Sequence, residues 1–402
     1  MRTSHGAPLR RLAGPVAGAA VLVLALAACG SGNSATTGGS GGGSALTGTG
    51  TGDACKIATP IPIGAVFSLT GAAASYGESQ KKGLELAAAE LKAKGGVTYD
   101  VTTEDDATDP QQGIAVFERF VTKDKKSLII GPTLSNTAKQ TDPVAQDGKT
   151  PVLGVSNTAA GITEIGEYIF RNSLTEGAVI PQTVDAAKKK FGLSKVVVLY
   201  SNDDAFTESG YQAFKAALDK SGVTIAKTIT FAKSDTDFRA QLTAAKGAAP
   251  DALVVSALVE AAVPLVTQAR ELGIDVPIIG GNGFNSPKLM TGAGKSSDGV
   301  IVGAAWNSAS SGPENAEFLK AYRAKYSADP DQFAAQAYTG LKLVDAAVRA
   351  GCSGEREDIK KHLGELKDVA TALGQFTMTA TRDAEHPAVV QVVEGGKFAV
   401  LK

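Results

Sequence analysis

The sequence predicts an α/β fold of two lobes, each built on a parallel sheet. Short apolar runs alternate with longer amphipathic ones from residue 57 almost to the end, and strands alternating with helices mean parallel sheets joined by right-handed crossovers. Past its first 54 residues the chain keeps about 350 more, ample for two cores. The runs at residues 127–130 and 151–155 are wholly buried in character and bounded by Gly, Pro and Asn, as in strands covered on both faces. Apart from the alternation no fixed-period repeat is visible.

The elements follow in order. Residues 57–67 read as a strand emptying into Ser68-Leu69-Thr70-Gly71, and 76–94 as a helix stopped by Gly95-Gly96. A strand at 99–103 closes on Glu104-Asp105-Asp106, a helix covers 110–123, and the two short strands come next. The pattern restarts after Arg171-Asn172-Ser173, with strands at 195–200, 224–231, 252–255, 277–279 and 300–305. Helices at 210–220, 237–246 and 261–272 separate them. Helices at 314–326, 333–350 and 358–366 and strands at 388–393 and 398–401 complete the body.

The N-terminus reads as targeting and tether. Arg2, Arg10 and Arg11 precede an apolar or small-residue run from Gly14 to Ala28, too short for a comfortable membrane span. Leu26-Ala27-Ala28-Cys29-Gly30 resembles the bacterial lipobox, which implies cleavage before Cys29 and acylation of its thiol. Residues 30–54, nearly all Ser, Thr, Gly and Ala to Gly52, read as a flexible tether. Its first 23 or so residues have a reach of roughly 25 Å. The expected location is the outer face of the cytoplasmic membrane, lipid-anchored. No later segment is long and apolar enough to span a bilayer, and a net charge of −1 argues against a nucleic-acid partner.

Several chemistries are excluded by spacing. Gly292-Ala293-Gly294-Lys295-Ser296 looks like the end of a phosphate loop, but Leu289 stands where its first glycine is needed. The histidines are His5, His362 and His386, too few and too scattered for a zinc site or a nucleophile–base pair. The acidic run 104–109 lacks calcium-loop spacing. No enzyme, metal or cofactor is therefore expected. Cys55 and Cys352 remain once Cys29 is set aside, and an even pair in an exported body suggests a disulfide, with two free thiols as the alternative.

Binding chemistry converges on two loops, Gly131 to Thr137 and Ser156-Asn157-Thr158, at the carboxyl ends of neighbouring strands. Ser135 can cap the helix that follows, whose N–H groups favour an anion. The pattern predicts a polar pocket for a small carboxylate-like group; ordinary helix capping is the alternative.

Together these stretches resemble the leucine/isoleucine/valine-type solute-binding proteins of bacterial ABC importers, a type I periplasmic-binding-protein fold. Carrying the resemblance are Phe67-Ser68-Leu69-Thr70-Gly71 with Tyr76-Gly77, KKGLELAAAELKAKGG, EDDATDPQQGIAVFERFV, IIGPTLSNT, and Gln268-Ala269-Arg270-Glu271-Leu272-Gly273. It spans residues 56–402 and implies two Rossmann-like lobes joined by a three-stranded hinge that closes on solute. By this analogy one lobe holds 55–174 and 306–385, and the other 175–305 and 386–402.

The resemblance also implies roles for residues. Ser135 and Thr158 match the groups that hold the solute carboxylate, assisted by backbone at Ser156 and Asn157. Tyr76, Phe206 and Phe333 match aromatic positions around the solute. Two departures matter. Asn282 stands where amino-acid binders place a Glu for the α-ammonium, and a second pocket tyrosine is lost around Ala257-Leu258; Glu260 is a possible substitute for the lost charge. The family's own disulfide positions fall on Thr108 and Leu134. The implied solute has a carboxylate or similar acceptor-rich head and an apolar body. Implied partners are ABC permease subunits with a cytoplasmic ATPase, reached by a monomer on a lipid anchor. A sensor presenting its closed form to a signalling receptor is the alternative.

Overall fold

The computed structural model describes residues 44–402, so the expected targeting segment and the expected lipidation site Cys29 lie outside the described residues. The chain first lays down β1 (Ile61–Phe67), α1 (Ala74–Lys94), β2 (Tyr99–Asp105), α2 (Pro110–Glu118), β3 (Leu128–Ile130), α3 (Ser135–Asp147), β4 (Val152–Gly154) and β5 (Ile169–Arg171). These five strands form one parallel sheet in the order β2-β1-β3-β4-β5.

A second series follows. It comprises α4 (Glu176–Phe191), β6 (Lys195–Ser201), α5 (Ala205–Ser221), β7 (Thr224–Phe231), α6 (Arg239–Lys246), β8 (Ala252–Ser256), α7 (Val259–Glu271), β9 (Ile278–Gly280), α8 (Lys288–Ala293) and β10 (Ile301–Ala304). The chain then returns to the first lobe with α9 (Pro313–Tyr326), α10 (Gln332–Gly351), α11 (Arg356–Gly364) and the antiparallel strands β11 (Val369–Thr371), β12 (Gly374–Met378) and β13 (Ala384–Glu385). It ends in the second lobe with β14 (Val389–Glu394) and β15 (Lys397–Val400). The second sheet runs β15-β14-β10-β9-β8-β6-β7, with β14 and β15 antiparallel additions to five parallel strands. The chain passes between the sheets three times, after Arg171, Ala304 and Glu385.

The seam of α1 against α10 anchors the first lobe. Gly83 makes it possible, since a Cβ there would stand 2.0 Å from the Ala334 carbonyl oxygen. Ile61, Ile63, Leu84, Leu91, Leu128, Leu153, Leu341 and Val344 fill the core beneath. In the second lobe β6 and β8 are apolar on both faces because helices cover both sides of the sheet.

Several expectations are corrected. The first strand begins at Ile61, not at residue 57, because the Ile57 N–H pairs with the Gly96 carbonyl and Lys56 with Thr49. The helix expected at 110–123 ends as α-helix at Glu118 and continues as a π turn through Arg119–Lys123. α5 begins five residues earlier than expected (205 against 210), where the Asp204 carboxylate caps the N–H groups of Phe206 and Thr207. The flexible tether expected to run to residue 54 is too long. Leu46 and Gly48 exchange hydrogen bonds with Gly354 and Cys352, Thr47 bridges Ser353, and Thr49 bridges Lys56. Those backbone pairs dock residues 46–49 on the first lobe. Cys55 and Cys352 are joined there by a disulfide, with Cα atoms 5.4 Å apart.

Candidate functional site

Open α/β sheets bind ligands outside the carboxyl ends of their strands, and both sheets here turn those ends toward a shared cleft. The first lobe contributes Tyr76 from the first turn of α1, Ser135 from the start of α3, Ser156 from the loop after β4, and Phe333 from the start of α10. The second contributes Phe206 from α5, Leu258 after β8, and Asn282 after β9. These seven line one cavity with Thr133, Leu134 and Gly283. All seven expected residues just named are thus brought together.

The lobes are closed on this cavity. The Tyr76 hydroxyl donates to the Gly283 carbonyl and accepts from the Val259 N–H, and its ring lies 4.6 Å from that of Phe333. Two further bonds cross between lobes at 2.9 Å: the Ala205 N–H donates to Asn136 Oδ1, and the Ala160 N–H donates to Ser209 Oγ.

Polar groups in the first lobe are arranged toward an anion. Ser135 was expected to cap α3. Instead Leu134 holds the cap position without a side-chain bond, and Ser135 is the first helical residue. The Ser135 hydroxyl oxygen accepts from the Ala159 N–H at 3.2 Å, which ties the two loops together and leaves its proton to donate. The N–H groups of Ser135, Asn136 and Thr137 have no capping partner among the described residues. Such a helix start favours negative charge.

Neither Thr158 nor Asn157 is among the residues lining the cavity. The Thr158 hydroxyl donates to Glu176 Oε1 at 2.8 Å, and its N–H has no partner among the described residues. The Asn157 amide donates to the Pro132 carbonyl and braces the loop from behind. The Ser156 hydroxyl lines the cavity but donates to the Thr133 carbonyl and accepts from Gln80.

Four contributing residues were not anticipated. Gln80 lies one helical turn after Tyr76 on the same buried face, and accepts from Thr133 while donating to Ser156. That spacing was a usable signal for both Gln80 and its partner Thr133. Glu176 is fully buried behind the loop carrying Asn282, where a Cβ on Gly281 would stand 2.8 Å from its Oε2. Burial pushes its carboxyl up to about 7, against the opposing pull of the Thr158 hydroxyl, the Asn282 N–H and Arg171. Gln332 holds Asn282 from behind. Glu260, weighed as a substitute charge, pairs with Lys288 at 3.1 Å and does not line the cavity. Among the described residues, no carboxylate lines this cavity.

Comparison with known proteins agrees with this architecture. A periplasmic binding protein family model matches residues 60–397. "Leu/Ile/Val-binding protein homolog 3" of Brucella melitensis is 27% identical over 335 residues, covering 82% of this chain and 89% of that protein. The branched-chain amino acid transporter substrate-binding protein LivJ of Streptococcus pneumoniae, solved with isoleucine, superposes with a TM-score of 0.79 at 28% identity, covering 85% of this chain and 98% of that one. A solute-binding protein of an ABC transporter from R. palustris, solved with benzoate, has the same fold at 24% identity and a TM-score of 0.79, covering 85% and 96%. Two sheets crossed three times by the chain, a cleft at their carboxyl ends, and a family match across nearly the whole body have one meaning: the chain belongs to the periplasmic binding protein family.

Proposed function

We propose that the protein is the lipid-anchored, extracytoplasmic solute receptor of an ABC importer, and that it captures a small carboxylate with an apolar body. The solute carboxylate accepts from the Ser135 hydroxyl, the free N–H groups opening α3 and the Thr158 N–H. Tyr76, Phe206, Leu258 and Phe333 enclose its apolar part. Bound solute touches both lobes and shifts the open–closed equilibrium by its differential affinity for the closed form, which is then presented to a permease. The solute relatives named above point the same way, one carrying isoleucine and one benzoate. The observation that carries the reading is the Ser135 hydroxyl beside an uncapped helix start, within a cavity that the Tyr76 clasp encloses.

A thermal-shift panel of branched-chain amino acids, their oxo and hydroxy acids, small amides and aromatic carboxylates tests it. A solute at a hundred times its dissociation constant stabilises the folded state by ~2.7 kcal/mol, several degrees for a protein of this size. At least one carboxylate is expected to give such a shift, and Ser135→Ala to reduce it. Shifts by amides alone, or none sensitive to Ser135, contradict the reading. Labelling by a radioactive fatty acid in cells, abolished by Cys29→Ala, is the expected result for the anchor.

A further inference from the structure

Gln332 opens α10 directly after its capping residue Asp331, and its side chain is buried. Its Oε1 accepts from the Ala305 N–H at 2.7 Å, and its Nε2 donates to Asn282 Oδ1 at 2.5 Å. A backbone N–H can only donate, so Ala305 fixes which end of the Gln332 amide is oxygen. The nitrogen end then faces Asn282, and Asn282 must answer with its own oxygen. Its Nδ2 group, which has no partner among the described residues, is left as the donor on the cavity side. Asn282 is further held by its backbone, its carbonyl accepting from the Asn285 N–H at 3.1 Å.

We infer that this Ala305–Gln332–Asn282 relay sets the hydrogen-bond polarity of the second-lobe wall. The protein then selects carboxylic acids that bear an acceptor beside the carboxylate, such as 2-oxo acids, over α-amino acids. An α-ammonium carries only donors and would be buried against another donor, with Glu176 behind the loop and Glu260, whose Oε1 meets Lys288, not among the residues lining the cavity. A 2-oxo oxygen accepts from the same Nδ2 group. This inference rests on the carboxylate reading of the site proposed above.

The test is calorimetric titration of the purified protein with leucine and with 4-methyl-2-oxopentanoate, which share a carbon skeleton and differ at the second carbon. The oxo acid is expected to bind at least tenfold more tightly. Gln332→Glu keeps an acceptor for the Ala305 N–H and offers a second acceptor to Asn282, so the Asn282 amide turns its oxygen toward the cavity. That variant is expected to move the ratio at least tenfold toward leucine. Asn282→Asp, which puts an acceptor there directly, is expected to do the same. Leucine binding as tightly as the oxo acid in the unaltered protein overturns the inference and leaves the carboxylate reading standing. An unchanged ratio in both variants also overturns it. If neither acid binds, the inference is overturned, and the thermal-shift panel alone decides the carboxylate reading.

Discussion

The Tyr76 hydroxyl stands 2.7 Å from the Gly283 carbonyl oxygen, joining the first helix of one lobe to the loop after β9 in the other. The same hydroxyl accepts from the Val259 N–H, so one phenol satisfies two backbone groups of the second lobe. Tyr76→Phe keeps the ring against Phe333 and leaves both groups without that partner in the closed form. An orphaned buried polar group costs about 1–3 kcal/mol. The expected outcome is a tenfold or greater loss of affinity for any solute found by the thermal-shift panel, with little change in the stability of the unliganded protein. Undiminished affinity on titration would mean that the clasp plays no part in closure.

Glu176 makes stability depend on pH. Its folded carboxyl, pushed up to about 7, holds a proton that the unfolded chain gives up near the ordinary 4.5. The contribution is therefore fully present below that ordinary value and is lost as pH rises through the folded one. Its size is on the order of 3 kcal/mol at most. His386 acts in the opposite sense, since burial lowers its imidazole to about 4 and its contribution is lost as pH falls below the ordinary 6.5. Glu176→Gln isolates the first effect. Denaturant titrations at pH 5 and pH 8 are expected to show the variant gaining stability relative to the parent at the higher pH. A constant difference at both would contradict it.

The Cys55–Cys352 bond closes a separation of 297 residues and lies beside the docked segment 46–49. In the chain-entropy model a loop of that size contributes up to roughly 6 kcal/mol. Replacing both cysteines by serine is expected to lower the denaturation midpoint substantially while leaving solute affinity within about twofold. The bond sits at the strand-start end of the first lobe, on the far side from the cavity. A matching loss of affinity would show instead that this end of the lobe is coupled to the site.

Much of the fold was legible because burial on both faces leaves a plain mark. The strands expected at 195–200 and 252–255 carry the apolar runs Val196–Leu199 and Ala252–Val255, and the aromatic and hydroxyl positions Tyr76, Ser135, Phe206 and Phe333 stand at recognisable loop ends. α4 was missed because Pro181 interrupts its pattern and three lysines close it, although Val179, Ile180, Thr183, Val184 and Ala187 mark its buried face. β11 to β13 are too short for alternation to register. Polar partnerships were the least legible. Thr158 is expected to hold the solute carboxylate, and a buried carboxylate 18 residues further on takes the proton of its hydroxyl. The role of Gln332 depends on an N–H 27 residues away and an amide 50 residues away, which only the fold brings together.

The most direct test is a crystal structure of the protein with whichever carboxylic acid gives the largest thermal shift. One carboxylate oxygen is expected within hydrogen-bond distance of Ser135 Oγ and the Thr158 N–H. The apolar part of the acid is expected between Tyr76, Phe206 and Phe333, with the Tyr76 hydroxyl still on Gly283. An acid bound outside this cleft, for example in the surface groove beside Lys94 and Arg349, or lobes that stay open around it, would contradict the account.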